Sequence, residues 1–134
     1  MRMLREQEIV SSVEKLLSYT TSDVARAVDG YLTKKERFLY AVEKCDSLVG
    51  CIGIEKVAQK IEILHLAVDE KYRGIGIGRD MIDHIIHKHH PISIQAETDK
   101  EAVLFYKSCG FSITSLGENY PGVERFICKK DLQK

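Results

Sequence analysis

The sequence predicts an α/β fold: a central mixed β-sheet flanked by helices. Three observations carry this. Strand-like and helix-like stretches follow one another in the order β, α, α, β, β, β, α, β, α, β, β. Two apolar runs, 38–42 and 48–57, are separated by a short turn and pair as an antiparallel hairpin. A third run, 61–68, leads through a glycine-rich turn and a helix into another strand, the pattern of a parallel β-α-β crossover.

The elements follow from residue spacing. Met1 to Arg5 is a short edge-strand candidate. From Glu6 to Leu17, apolar residues at Ile9, Val10, Val13, Leu16 and Leu17 have helical spacing. Thr20, Thr21, Ser22 and Asp23 interrupt that helix and offer N-caps for a second one through Val24, Ala27 and Val28, ended with the help of Gly30. Phe38–Val42 is a strand, and Cys45 to Ser47 a turn. Leu48–Val57 is a strand weakened by Gly50 and Gly53. In the strand Ile61–Val68, Glu62 and His65 differ by an odd number and fall on opposite faces, unless a bulge changes the phase. The next helix runs from about Ile77 to His89, with Ile77, Met81, Ile82, Ile85 and Ile86 on one stripe, and Pro91 stops it. Ile92–Ala96 is a strand, and Thr98 or Asp99 caps a helix carrying Ala102, Val103, Phe105 and Tyr106, with Gly110 at its end. Phe111–Ser115 and Glu124–Lys130 close the sheet around a loop with Asn119, Pro121 and Gly122.

Composition sets the limits. At 134 residues, 44% hydrophobic and 30% charged, the chain suits one soluble globular domain over 1–134. Twenty basic and twenty acidic side chains balance to zero, without the basic excess of a nucleic-acid binder. Cys45, Cys51, Cys109 and Cys128 form no C-x-x-C pair and are read as reduced thiols, mostly in the core. Met1 to Ile9 holds four charges and no apolar run, so neither a signal peptide nor a membrane anchor is expected, and the expected compartment is the cytoplasm.

The segment from Val68 to Arg79 carries the chemistry: a strand end, then Arg73-Gly74-Ile75-Gly76-Ile77-Gly78-Arg79 opening a helix. Glycines let consecutive N–H groups turn inward, and the helix N-terminus adds partial positive charge. That combination suits a phosphate or pyrophosphate. The spacing is G-x-G-x-G in the second half of the chain, neither the G-x-G-x-x-G of a dinucleotide fold nor a P-loop, so NAD and ATP are disfavoured.

The stretch LAV…YRGIGIG closely resembles motif A of the GCN5-related N-acetyltransferases, [QR]-x-x-G-x-[GA], filled here by Arg73, Gly76 and Gly78. The later pattern D-x-x-A-x-x-x-Y-x-x-x-G-F, from Asp99 through Ala102, Tyr106 and Gly110 to Phe111, resembles the same family, with Asp99 where the family often has Asn. The resemblance implies the acyl-CoA N-acyltransferase fold and acetyl-CoA as co-substrate. It implies that main-chain N–H groups of Arg73, Gly74, Ile75, Gly76, Ile77, Gly78 and Arg79 hold the pyrophosphate. It also implies that the pantetheine arm lies along Leu66, Ala67 and Val68, on a strand that is bulged and splayed from its neighbour, with an N–H near Leu66 facing the thioester carbonyl.

Two roles remain for side chains. A phenol is protonated at neutral pH and can donate to a CoA thiolate, which makes Tyr106 the acid candidate against a packing role. Glu62, in an E-I-x-x-x-A-V arrangement resembling histone-type members, is the base candidate, with His65 and water as alternatives. His84, His87, His89 and His90 lack acidic or cysteine ligands at motif spacing, so no metal is expected. Cys109, one turn after Tyr106, is either core or at the CoA end of the cleft. The expected activity is direct acetyl transfer to a primary amine of a small molecule, peptide or protein, with a homodimer as a frequent family state. The alternative is a non-catalytic acyl-CoA-binding regulatory module.

Overall fold

The computed structural model describes residues 1–132, apart from the side chains of Glu6, Val10, Ser11 and Asn119. Seven strands form one sheet in the order β1-β2-β3-β4-β5-β7-β6. They are β1 (Arg2–Met3), β2 (Arg37–Lys44), β3 (Ser47–Val57), β4 (Lys60–Val68), β5 (Ser93–Asp99), β6 (Ser112–Tyr120) and β7 (Val123–Asp131). The helices are α1 (Glu6–Ser11), α2 (Glu14–Ser18), α3 (Val24–Thr33), α4 (Ile77–His89) and α5 (Val103–Ser108). Among the described residues, no helix is long and apolar enough to cross a membrane.

The expected N-terminal helix is two short ones. The Ser12 N–H ends α1 by donating to the Glu8 carbonyl at 3.0 Å, and Val13, Leu16 and Leu17 stay buried on the second segment. Asp23 caps α3 as expected, accepting from the Arg26 N–H at 3.2 Å. Gly30 does not end α3, which continues to Thr33. The nearest neighbour of a Cβ built there would be the tip of the Arg37 side chain. The closing strands are longer than their apolar runs, because residues 121–122 make a tight hairpin turn with Gly122 at φ +80°.

Two cores sandwich the sheet. Helices α1–α3 pack Val13, Leu16, Leu17, Ala27 and Tyr31 against Leu39, Ala41, Cys51 and Ala67. Helix α4 packs Ile77, Met81, Ile82 and Ile85 against Ile52, Ile54, Ile61, Ile63 and Ile94, and Tyr106 and Phe111 extend that layer. Cys51, Cys109 and Cys128 are buried thiols, whereas Cys45 is exposed in the β2–β3 turn. Burial pushes the Cys51 thiol up to about 12.

Strand β4 is where regularity breaks. It pairs with β3 as Ile54↔Ile63 and then Gly53↔His65, leaving Leu64 as an extra residue. Before this bulge the odd residues Ile61 and Ile63 face α4; after it the even residues Leu66 and Val68 do. Glu62 and His65 therefore share the α3 face, against the odd-offset reading. Parallel pairing with β5 runs only from Lys60↔Ser93 to Ile63↔Ala96, so the two strands part beyond it.

Gly53 sits opposite the bulge under α3, and a Cβ there would lie 1.7 Å from Tyr31 Oη. Gly53→Ala is expected to cost about 1–3 kcal/mol through overpacking, read as a lowered urea midpoint. In a Tyr31→Ala background the same substitution should cost little, and an unchanged cost there would refute this account.

Candidate active site

The parting of β4 and β5 opens a cleft of about 760 Å³. Its wall is formed by residues 63–68 of β4, the turn from Tyr72 to Arg79, the end of β5, and α5 with Phe105 and Tyr106. Tyr19 and Thr20 line it from the α2–α3 connection, and Arg125 from β7.

Main-chain groups on β4 face the cleft by alternation. The Asp69 N–H donates to the Val49 carbonyl at 2.7 Å, toward β3. Alternate residues Ala67 and His65 point the same way, so the N–H and C=O groups of Leu66 and Val68 point away from β3. Arg73 confirms this: its Nε donates to the Val68 carbonyl at 2.9 Å, while its guanidinium lies 5.2 Å from the centre of the Tyr19 ring.

The turn that follows is built of amides without acceptors. Gly74 and Gly76 have φ of +80° and +94°, and nothing lies within 4 Å of where a Cβ would stand on either. Gly76 is the N-cap of α4 and carries no capping side chain. The first amide to donate back is that of Asp80, to the Gly76 carbonyl at 2.9 Å. The Arg73 N–H, expected among the free amides, donates to the Glu70 carbonyl at 3.4 Å; among the described residues, the N–H groups from Gly74 to Arg79 have no acceptor, at the positive end of a 13-residue helix. Gly78 serves differently: a Cβ there would meet the Phe105 ring at 3.0 Å. Arg79 flanks the turn and donates to the Ser108 carbonyl at 2.8 Å, tying α4 to α5.

Tyr106 is only 6% exposed, its ring edge-on to Phe105 and Phe111. Its hydroxyl has no protein partner, yet no fully buried side-chain N or O among the described residues lacks one. The hydroxyl therefore opens to the cleft that the residue lines. Burial pushes its pKa well above that of an ordinary phenol, with Cys128 and Cys109 adding to the shift, so the proton is held throughout the neutral range.

On the α3 face, His65 lines the cleft and shares a 2.6 Å hydrogen bond with Tyr31 through Nδ1. Burial and the Arg37 charge both lower its pKa, leaving the imidazole neutral. Arg37 pairs with Glu55 at 3.1 Å. Glu62 stands half-buried beside them, its carboxyl raised by burial and then by Glu55 and Glu97.

The structure thus brings into one cleft Leu66, Ala67, Val68, Arg73, Gly74, Gly76, Ile77, Gly78, Arg79 and Tyr106. Ile75 points outward, and Glu62 stands outside the lining. Neither Thr98 nor Asp99 caps α5, whose N-cap is Ala102 with no side-chain cap; Asp99 ends β5 and holds the turn before the helix, accepting from the N–H groups of Glu101 and Ala102 at 3.1 Å each. Cys109 is core, and Lys130 Nζ donates to its carbonyl. His84 and His89 pack against Tyr40, whose hydroxyl lies 3.0 Å from His89 Nε2. Sequence reasoning missed Tyr31, which is separated from His65 by 34 positions, and the cleft-facing Glu97–Arg125 ion pair at 3.2 Å.

Comparison with known proteins agrees with this geometry. The family model "Acetyltransferase (GNAT) domain" matches residues 34–113, more than half of the sequence, and the chain belongs to that family. An uncharacterized protein of Mycobacterium leprae is 28% identical over 119 residues, covering 81% of this chain; the chain spans 33% of that relative's length. The fold is shared with the ribosomal-protein-S18-alanine N-acetyltransferase from Escherichia coli, at TM-score 0.81 and 15% identity over 98% of this chain and 92% of that one. It is shared too with a Bacillus subtilis acetyltransferase in complex with CoA, at TM-score 0.74 and 22% identity over 98% and 97%.

If Arg37 helps to hold His65 neutral, Arg37→Gln removes a like charge and also frees the Glu55 carboxylate, so the His65 pKa should rise. Imidazole proton shifts followed by NMR over pH 5–8 check this; an unmoved or lowered titration would contradict it.

Proposed function

We propose that this domain transfers the acetyl group of acetyl-CoA directly to a primary amine. The observation that carries the reading is the convergence on one cleft of a turn of free amides, the cleft-facing main chain of Leu66 and Val68, and the Tyr106 hydroxyl. CoA fits the residues present. The amides from Gly74 to Arg79 would hold its pyrophosphate in the open space above Gly74 and Gly76. Leu66 and Val68 would offer main-chain groups to the pantetheine arm. At Val68 only the N–H is free, because Arg73 takes the carbonyl.

The amine nitrogen attacks the thioester carbon, the N–C bond forms and the C–S bond breaks. Tyr106 donates its proton to the departing thiolate and recovers one from solvent. Before attack the substrate ammonium gives one proton to Glu62, whose carboxyl is already shifted upward; because Glu62 is outside the cleft lining, the transfer runs through water, and the second nitrogen proton leaves to solvent as the amide forms. A peptide or protein amine is one acceptor class, supported by the likeness to the ribosomal-protein-alanine enzyme; a small-molecule amine is the other. Thiol release with acetyl-CoA and an amine and peptide panel tests the reading. Tight CoA binding without release to any acceptor would instead favour a non-catalytic CoA-binding module.

Gly76→Val should abolish CoA binding by closing the backbone approach. Valine at φ +94° also costs about 1–3 kcal/mol of strain, so folding is checked alongside by circular dichroism. Unchanged CoA affinity by calorimetry in a folded variant would remove the turn from the site.

Tyr106→Phe keeps the ring and its packing. Loss of a general acid is expected to lower kcat by about 10²–10⁴-fold, with little change in CoA affinity. An unchanged kcat where chemistry limits turnover would make Tyr106 a packing residue.

A further inference from the structure

The Tyr31–His65 contact is more specific than packing requires. Tyr31 comes from α3, is 7% exposed, and meets the His65 ring edge-on at 5.6 Å, with Oη 2.6 Å from Nδ1. Gly53 is paired with His65 across the ladder, and a Cβ on it would occupy the space that the Tyr31 phenol fills. Among the described residues neither group has a second hydrogen-bond partner, which leaves two ways to place the shared proton. If Nδ1–H donated to Oη, the phenolic proton would be stranded in a buried site. If the phenol donates to Nδ1, the imidazole proton lies on Nε2 and nothing is stranded. Nε2 has no protein partner and so is not fully buried, and His65 lines the cleft. The charged and titratable groups around the pair are Arg37 on β2, Cys51 and Glu55 on β3, and Glu62 on β4. Arg37 opposes a second proton on the ring.

We infer that Tyr31 is a positioning residue for acetyl transfer, fixing His65 as the neutral Nε2–H tautomer so that the imidazole presents a hydrogen-bond donor to an oxygen in the cleft and does not serve as the base. This rests on the reading of the protein as an acetyltransferase. The oxygen belongs either to the thioester or to a carbonyl or hydroxyl of the acceptor close to its amine. Glu62, through water, is left to take the ammonium proton.

The full chain labelled with ¹⁵N tests the tautomer without substrate. At neutral pH the His65 Nδ1 should show the shift of an unprotonated acceptor nitrogen and Nε2 that of a protonated one, and Tyr31→Phe should mix the two forms. A protonated Nδ1 in the parent protein overturns the inference, whatever the activity. Kinetics test the role. His65→Gln carries an amide N–H near the Nε2 position and should stay within about tenfold of the parent in kcat/KM, whereas His65→Ala should lose clearly more. Tyr31→Phe should fall between them, and the acid limb of the pH profile should survive in all three. A loss in kcat assigns the oxygen to the thioester, and a loss in acceptor KM assigns it to the amine substrate. His65→Gln as poor as His65→Ala, with the acid limb gone, would make His65 the base and overturn the inference. Absence of acetyl transfer to every amine would sink the acetyltransferase reading and Tyr31's role with it, while the nitrogen shifts would still decide the tautomer.

Discussion

Everything that sets this chain apart from a plain layered sheet depends on β4 ceasing to pair with β5 after Ile63↔Ala96. A central strand that gives up its ladder exposes N–H and C=O groups, which must find water or a ligand. Here the parting follows directly on the bulge at Leu64. The bulge reverses the phase of the strand, so Leu66 and Val68 face the α4–α5 layer while His65 turns under α3. One extra residue thereby opens the cleft, supplies its main-chain wall and places a titratable ring on its other side.

The turn after β4 uses glycine for two unrelated purposes. At Gly74 and Gly76 the backbone takes positive φ over open space, which leaves their amides and the first amides of α4 unpaired. At Gly78 the backbone is ordinary and the missing Cβ lets Phe105 close against the helix start. The first use creates a site for negative charge. The second brings α5, and with it Tyr106, up to the same cleft.

Much of this was legible because the signals are local. The stripe from Ile77 to Ile86 between a glycine turn and Pro91 marks α4, whose observed bounds are Ile77–His89. What failed was any reading that assumed an unbroken period. Counting in twos placed Glu62 and His65 on opposite faces, and the Leu64 bulge, set by pairing across β3, overrides that count. Gly30 read as a helix stop, whereas α3 runs on to Thr33. Gly53 read only as a weakness in its strand. A glycine inside a strand also signals close approach of something else, and here that is the Tyr31 hydroxyl.

Burial sorts the charges of the cleft in a way that suits acyl transfer. It holds Tyr106 protonated and, with Arg37, holds His65 neutral. The formal charges of Arg73, Arg79 and Glu97 lie at exposed positions among the lining residues, and that of Arg125 at a half-buried one. Glu62 and His65 then differ in what they cost the fold. A histidine with a lowered pKa gives its full contribution above its unfolded value and loses it as pH falls, so at neutral pH His65 carries no penalty. A carboxyl with a raised pKa favours the fold when protonated and loses that contribution as pH rises through its folded value, which is the direction that burial and the Glu55 and Glu97 charges give Glu62. The upward shift at Glu62 favours a carboxyl that holds a proton, and the downward shift at His65 favours a ring that carries only one.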